Sequence, residues 1–233
     1  MKKIRVTTSW DDGLLLDRKI ADLLLKFGLK GTFYVSPNNR EFPKNKLLTR
    51  TDIVSLSKNF EIGAHTLTHP ALTEINADEA KKEIIKSKRY LEKITKKNIK
   101  SFCYPKGKYN PDIRDMVSDS GFIYARTVKR FGFKLPNNLF ESETSIDCYK
   151  HYQDVVKIFN FSHWKFGEFW ENMDWEILAK RTFNRLSGGD VYHLWGHSWI
   201  IDKNNEWEKL ERVLSYISRR NNIIYCENKD LAK

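Results

Sequence analysis

Two pairs of polar residues in this chain could bind a divalent cation. Asp11 and Asp12 directly follow the apolar run from Ile4 to Trp10, and His65 and His69 follow a second apolar run. Two imidazoles and one carboxylate can hold zinc or a similar cation while leaving coordination positions open for chemistry. Each pair ends a strand-like segment, as do groups on the carboxyl rim of a parallel sheet, where α/β folds keep their sites.

The Asp11-Asp12-Gly13 sequence predicts different tasks for its two carboxylates. Neighbouring residues on a strand point to opposite faces, so both can serve one centre only if the strand ends there, and Gly13 supplies the turn. One carboxylate can then ligate a metal while the other takes a proton from the attacking water. The alternative is an ordinary turn after a strand.

His65 and His69 stand four residues apart, on one face of a helix or of a strand and its exit loop. Thr66 occupies the position of the glutamate in the His-Glu-x-x-His protease signature, and Pro70 argues against a continuous helix. We therefore expect two metal ligands at a strand-to-loop junction. Two histidines in the core or on the surface, without a metal, are the alternative.

A third segment, from Asp190 to Trp199, could supply an acid. On an extended chain His193, Trp195 and His197 share one side, which places a proton donor beside a broad apolar wall. Such a wall suits a small acyl group whose leaving amine must be protonated. A buried aromatic strand with hydrogen-bonded histidines is the alternative.

Composition limits the classes of protein that the chain can represent. Its 233 residues are 40% hydrophobic and 13% aromatic, enough for a sizeable core. The net charge of +11 is dispersed and no arginine-rich stripe accompanies it. We therefore expect no nucleic-acid partner, while an anionic substrate or membrane surface stays open.

Cysteine usage and the lack of long apolar runs predict a reducing setting. Cys103, Cys148 and Cys226 are odd in number and show no paired spacing. We find neither a signal-peptide pattern nor an apolar run near the roughly 20 residues that span a bilayer. We expect a cytoplasmic protein without a transmembrane segment.

Apolar runs of strand length alternate with segments of helical period along the chain. The expected strands are Ile4–Ser9, Thr32–Val35, Phe60–Ala64, Phe102–Tyr104, Ile123–Arg126, Val191–Trp195 and Ile223–Cys226. The expected helices are Leu15–Phe27, a short helix capped by Thr51, one capped by Asn76, Pro111–Ser118 capped by Asn110, Trp175–Leu186 and Glu206–Arg219. Such alternation predicts an α/β fold, a (β/α) barrel of seven to eight parallel strands.

We expect residues 1–233 to form a single catalytic domain with a loop insertion at about 131–174 beside the site, where periodicity is weakest. The insertion is rich in aromatic residues, which could stack on sugar rings or simply cover the barrel. They are Trp164, Phe166, Phe169, Trp170 and, just beyond it, Trp175.

Four segments together carry a resemblance to a known family. They are Thr8-Ser-Trp-Asp-Asp-Gly13, Gly63-Ala-His-Thr-Leu-Thr-His-Pro70, Phe102-Cys-Tyr-Pro-Lys-Gly-Lys-Tyr-Asn110 and Trp195-Gly-His197. In order and spacing they resemble successive motifs of the polysaccharide deacetylase family, or NodB-homology domain. The resemblance implies a distorted (β/α) barrel with one divalent cation, usually zinc, that removes acetyl groups from N-acetylated sugars.

The resemblance also implies roles for individual residues. Asp11 corresponds to the general base and His197 to the general acid. The implied metal ligands are Asp12, His65 and His69. Trp195 stands where the family has a leucine that lines the acetyl pocket, and we expect Tyr104 and His193 to contact the substrate as well. Pro105 lacks an N–H, so we expect the Lys106 N–H to face the oxyanion of the tetrahedral intermediate.

One departure from the family pattern concerns the base. Cys103 occupies the place of an arginine that pairs with the catalytic aspartate in many members. Arg126, at the end of the next expected strand, is a candidate substitute. Without such a cation the pKa of Asp11 would be tuned differently.

Substrate and activity stay open among several classes. Polysaccharides, lipid-linked glycans and nucleotide sugars are candidate N-acetylated substrates. One alternative is a C–N hydrolase of the same fold that acts on a non-sugar amide, ureide or cyclic imide. Another is a non-catalytic carbohydrate-binding protein, against which the intact Asp11 argues.

Overall fold

The computed structural model describes residues 2–233, which form one parallel sheet surrounded by helices. The strands are β1 (Ile4–Trp10), β2 (Thr32–Val35), β3 (Glu61–Ala64), β4 (Ser101–Cys103), β5 (Tyr124–Arg126), β6 (Ile146–Asp147), β7 (Val191–Gly196) and β8 (Ile223–Tyr225). The α-helices are α1 (Asp17–Phe27), α2 (Arg50–Leu56), α3 (Ala77–Thr95), α4 (Pro111–Asp119), α5 (Val155–Phe161), α6 (Phe166–Asn172), α7 (Trp175–Asn184), α8 (Ser198–Lys203) and α9 (Trp207–Ile217).

Strand β1 is the centre of the sheet, whose order is β5-β4-β3-β2-β1-β7-β6. On one edge, Arg5 to Trp10 of β1 pair with β7. On the other edge, the carboxyl end of β1 pairs with β2 and the amino end pairs with β8. The segment after β5 links the two edges of the sheet. At one end Ser142 bridges to Arg126 of β5, and three residues on Ser145 N donates a hydrogen bond to His193 O of β7 at 2.9 Å. The curled parallel sheet confirms the expected distorted (β/α) barrel.

Amphipathic helices cover the outside of the sheet. Helix α1 buries Ile20 and Leu24, and α9 buries Leu210, Leu214 and Ile217, at the spacing of one helical face. The strands β2, β3, β4 and β5 are buried along their whole length, as expected of parallel strands covered on both faces.

Helix caps explain most of the observed boundaries. Asn76 and Asn110 cap α3 and α4 as the sequence predicts, each accepting a hydrogen bond at 2.9 Å from the backbone N–H three residues on. The prediction of Thr51 as the cap of α2 is wrong. The helix begins at Arg50, because Thr49 and Asp52 form a reciprocal capping box.

The aromatic segment at 131–174 contains regular structure that hydrophobic periodicity did not indicate. Strand β6 has two residues, and α5 and α6 have seven each, too few for a period to be read from sequence. Every helix within residues 2–233 is too short or too polar to span a bilayer.

Candidate functional site

The turn after β1 brings two carboxylates to the carboxyl rim of the barrel. Asp12 and Gly13 adopt left-handed conformations, with φ of 80° and 76°, so the alternation of the strand stops at Trp10. Trp199 Nε1 donates a hydrogen bond to Asp12 Oδ2 at 2.9 Å. Asp12 Oδ1 is left buried without a hydrogen bond. Asp11 and Asp12 thus lie side by side with different partners.

His65 directly follows β3, and His69 ends the loop that leaves it. Thr66 and His69 are left-handed, with φ of 63° and 68°, and the loop turns both imidazoles towards Asp12. The His69 Nε2 atom lies 3.2 Å from His65 Nε2 and 3.3 Å from Asp12 Oδ1. The pair lies at a strand-to-loop junction, as the sequence predicts.

Glu83 on helix α3 holds this histidine loop in place. Its carboxylate accepts hydrogen bonds from the backbone N–H groups of Leu67 and Thr68 and from the Thr68 hydroxyl, all at 2.8 Å. Sequence reasoning missed this residue. Its distance from the histidines along the chain gave no signal, because the contact exists only once α3 packs beside β3.

Asp12, His65 and His69 form a set that a divalent cation fits. His65 Nδ1 donates to the Cys103 carbonyl at 2.7 Å, which leaves Nε2 as the free nitrogen. Burial lowers the pKa of His65 to about 4, so its imidazole is neutral at pH 7. A cation would satisfy the free nitrogens and the orphaned Asp12 Oδ1 together. Two imidazoles with one carboxylate suit zinc among several transition metals.

Asp11 is buried and forms an ion pair with Arg126, which is itself fully buried. Arg126 Nε also donates to Ser9 Oγ at 3.0 Å, and its guanidinium lies 4.4 Å from the centroid of the Trp195 ring. Burial by itself would raise the pKa of Asp11, but Arg126, with smaller contributions from His65 and His197, lowers it to about 2. Arg126, the candidate substitute that the sequence offers for the family's arginine, is thus the cation that pairs with Asp11.

Cys103 lies beneath Asp11 as a buried thiol. Its Sγ atom is 3.7 Å from Asp11 Oδ2. Burial raises its pKa well above the usual range, so the thiolate that a metal prefers is disfavoured. Asp11, His65 and Cys103 form a second group with ligand atoms close together, but this group lacks the orphaned oxygen of the first.

His197 approaches Asp11 from the far side of the cleft. Its Nε2 atom lies 3.9 Å from Asp11 Oδ2, and its Nδ1 atom is buried without a hydrogen bond. Asp147 on β6 is buried and accepts a hydrogen bond from His151 Nε2 at 2.7 Å, while its other oxygen, Oδ1, is unpaired. Burial raises the pKa of Asp147, and the nearby His151 and His197 partly offset that rise. Sequence reasoning missed Asp147, which lies in a two-residue strand.

An open cleft of about 600 Å³ lies over these groups. Its lining includes Asp11, Asp12, His65, His69, Tyr104, Lys106, Trp195 and His197. Lys106 is left-handed, and its N–H is not taken up by a backbone acceptor within residues 2–233.

His193 is the one sequence-predicted site residue that the structure does not bring to the cleft lining. It is buried in the barrel interior, with Nε2 2.8 Å from Ser9 Oγ. Burial, reinforced by Arg126, lowers its pKa well below the usual range. A neutral His193 therefore contacts the Ser9 hydroxyl that supports Arg126.

The curled parallel barrel and the aspartate and histidine groups on its rim define a class of protein. The chain belongs to the polysaccharide deacetylase family, whose sequence profile matches residues 1–125. The matched region contains Asp11, Asp12, His65 and His69, and it ends one residue before Arg126.

Individual relatives agree with this assignment. A peptidoglycan-N-acetylglucosamine deacetylase from Bacillus cereus is 34% identical over 95 residues, which is 40% of this chain and 32% of that protein. A putative polysaccharide deacetylase from Mycobacterium smegmatis has a TM-score of 0.65 at 13% identity, covering 99% of this chain and 89% of its own. A Streptococcus pyogenes deacetylase in complex with acetate has a TM-score of 0.55 at 23% identity, covering 59% and 62%. The chain thus spans about a third of its curated relative.

The buried Arg126–Asp11 pair predicts strong coupling between the two residues. Arg126→Met leaves a buried carboxylate without its cation and should lower the free energy of unfolding by about 3–5 kcal/mol. Adding Asp11→Asn removes the stranded charge and should restore at least half of that loss. Urea unfolding of the wild type, both single variants and the double variant measures the coupling. Additive losses would contradict the pairing.

The Glu83 contacts predict an effect on metal affinity at a distance from the metal. Glu83→Gln keeps the shape of the side chain but weakens its hold on the loop of His65 and His69, and should lower Zn²⁺ affinity about 10- to 100-fold. Titration against a chromophoric chelator measures this. Glu79→Gln, an exposed position on the same helix, is the matched control. Equal affinities of the two variants would contradict the role of Glu83.

Proposed function

We propose that residues 1–233 form a catalytic domain that hydrolyses the acetamide of an N-acetylated sugar with the help of one divalent cation. The observation that carries this proposal is the joint placement of Asp11, the three candidate ligands and His197 around one cleft. Family membership supplies the bond to be broken. The named Bacillus cereus relative acts, by its name, on N-acetylglucosamine in peptidoglycan.

Asp12, His65 and His69 would hold the cation, for which we propose zinc. Such an ion, when bound, polarises the acetyl carbonyl and acidifies water. Trp199 and Glu83 keep the ligands in position through their hydrogen bonds to Asp12 and to the histidine loop. The neutral state of His65 keeps its lone pair free for the ion at pH 7.

Asp11 is proposed as the base that takes a proton from the attacking water. Arg126 has two effects on this carboxylate. It holds Asp11 ionised throughout the physiological pH range, and it fixes one oxygen so that Oδ2 faces the cleft side where His197 lies. A base that is already ionised and fixed in direction needs no reorganisation before the reaction.

His197 is proposed as the acid that protonates the leaving nitrogen, since an amine anion is a poor leaving group. Its position 3.9 Å from Asp11 Oδ2 puts acid and base within reach of one scissile bond. The Lys106 N–H is the proposed oxyanion donor, and Trp195 the apolar wall for the acetyl methyl group.

His193 is proposed to act on the substrate only indirectly, through Ser9 and Arg126. Tyr104 lines the cleft and is proposed as a direct substrate contact. The three cysteines are free and buried, which accords with the proposed reducing, cytoplasmic setting.

An acetate-release assay tests the proposal. The purified protein, loaded with Zn²⁺, is incubated with free, oligomeric, nucleotide-linked and lipid-linked N-acetylhexosamines. Asp11→Asn should lower kcat about 10²- to 10⁴-fold while Zn²⁺ stays bound, because the base is lost and the ligands remain. Asp22→Asn, an exposed change on α1, is the control and should keep wild-type activity.

Two outcomes would contradict the proposal. Full activity of Asp11→Asn would remove Asp11 from the reaction. A metal-loaded protein that releases no acetate from any of these sugars would favour a C–N hydrolase acting on another amide.

A further inference from the structure

Exposed apolar side chains concentrate in one segment of this protein. Within residues 2–233, eleven large hydrophobic side chains are exposed, and five of them lie between residues 152 and 170. We call these five the aromatic patch; they are Tyr152, Val156, Trp164, Phe166 and Trp170. Trp164, Phe166 and Trp170 are about 70% exposed, which is unusual for rings of this size. The remaining six are scattered along the chain.

The exposed rings of Trp164 and Phe166 are held in place by packing against Phe159. Phe159 packs edge-on against Trp164, Phe166 and Phe169, with ring centroids 4.9 to 5.5 Å apart. Phe169 and Trp175 are buried and cover the barrel. The covering role therefore accounts for Phe169 and Trp175, but Trp164, Phe166 and Trp170 still expose about 70% of their surface to water.

The charges around the aromatic patch leave a small positive excess. Between residues 150 and 171 the chain has three lysines, Lys150, Lys157 and Lys165, and three acidic residues, Asp154, Glu168 and Glu171. Each acidic group is held in an ion pair, with Arg130, Lys165 and Arg181 respectively, whereas Lys150 and Lys157 have no carboxylate partner within residues 2–233. The whole chain carries a net charge of +11. Exposed Trp and Phe rings interleaved with lysines are typical of a surface that rests in the interface of an anionic bilayer.

The aromatic patch meets the active-site cleft at one end, through Tyr152. This residue lines the cleft together with Lys150, His151 and Gln153, and α5, which carries Val156, starts at Val155. A bilayer that takes up the patch would therefore lie beside the cleft mouth. A sugar attached to a lipid would reach the cleft from the headgroup layer without leaving the membrane.

We propose that the aromatic patch binds the surface of an anionic bilayer and presents the cleft to an N-acetylated sugar carried on a lipid anchor. The choice of substrate rests on the proposed function, whereas the binding to bilayers does not. The protein would lie on the membrane through the side chains of α5, α6 and the loop between them.

Vesicle sedimentation tests the binding. Vesicles of phosphatidylcholine with about a third phosphatidylglycerol should bind the wild type, and pure phosphatidylcholine should bind it more weakly. A triple variant, Trp164→Ser, Phe166→Ser and Trp170→Ser, should bind the anionic vesicles at least about tenfold more weakly, because the apolar anchors are gone. The matched control is the triple variant Leu25→Ser, Ile123→Ser and Ile224→Ser, which removes exposed apolar residues elsewhere and should bind like the wild type.

A second variant keeps the proposal testable if α5 and α6 misfold in the serine triple. Lys157→Glu with Lys165→Glu leaves every ring in place and should weaken binding to anionic vesicles while leaving the weaker binding to neutral vesicles unchanged. Quenching of tryptophan fluorescence by brominated lipids should be strong for the wild type and reduced for the serine triple.

Three results would overturn the proposal. The first is no binding of the wild type to anionic vesicles, and the second is an equal loss of binding in the Leu25, Ile123 and Ile224 control. The third is a concentration-dependent dimer in sedimentation velocity that the serine triple abolishes, with neither protein binding vesicles. Acetate release from a soluble N-acetylhexosamine is measured in parallel. The serine triple should match the wild type there and lose activity only on the lipid-linked sugar. Vesicle binding without any acetate release would contradict the proposed function but would still support membrane binding by the aromatic patch.

Discussion

The ion pair between Asp11 and Arg126 is the constraint on which the site depends. Both groups are out of water, so each would carry a large desolvation cost without the other. Arg126 can reach Asp11 only if β5 curls round towards β1, the strand that ends beside Asp11, and the Ser9 hydroxyl and the Trp195 ring complete its surroundings. The ionised state of the proposed base therefore depends on the curvature of the barrel.

The metal group depends on a different device, a set of left-handed residues at strand ends. Asp12, Thr66 and His69 all adopt positive φ values that side chains disfavour. Hydrogen bonds from Trp199 to Asp12, and from the histidine loop to Glu83, hold these residues there. A positive φ costs a residue with a side chain of order 1 kcal/mol or more of conformational free energy. Two of these three residues are themselves candidate ligands, and Thr66 lies between the two histidines. The fold itself thus brings the three candidate ligand atoms together.

Sequence reasoning predicted the parts of the site that are local. The aspartate pair and the histidine pair each follow an apolar strand, and the carboxyl ends of parallel strands meet at one rim, so the meeting of the two pairs followed from pattern. The choice of Asp12 over Asp11 as the ligand came from the family resemblance. Glu83 and Asp147 could not be predicted, because their partners lie in other elements and their own surroundings in the sequence are ordinary. Helices α5 and α6 are too short to show a period. Thr49, and not the predicted Thr51, caps α2, because Asp52 three residues on completes its capping box. The burial of His193 became visible only with the pairing of β1 and β7.

The measurement that tests the central claim most directly is anomalous diffraction at the zinc edge from crystals of the protein grown with Zn²⁺. We expect one strong peak in contact with Asp12 Oδ1 and the Nε2 atoms of His65 and His69, with Asp11 still paired to Arg126. A peak held by Asp11 and Cys103, or no peak in the cleft at saturating Zn²⁺, would contradict the proposed metal site.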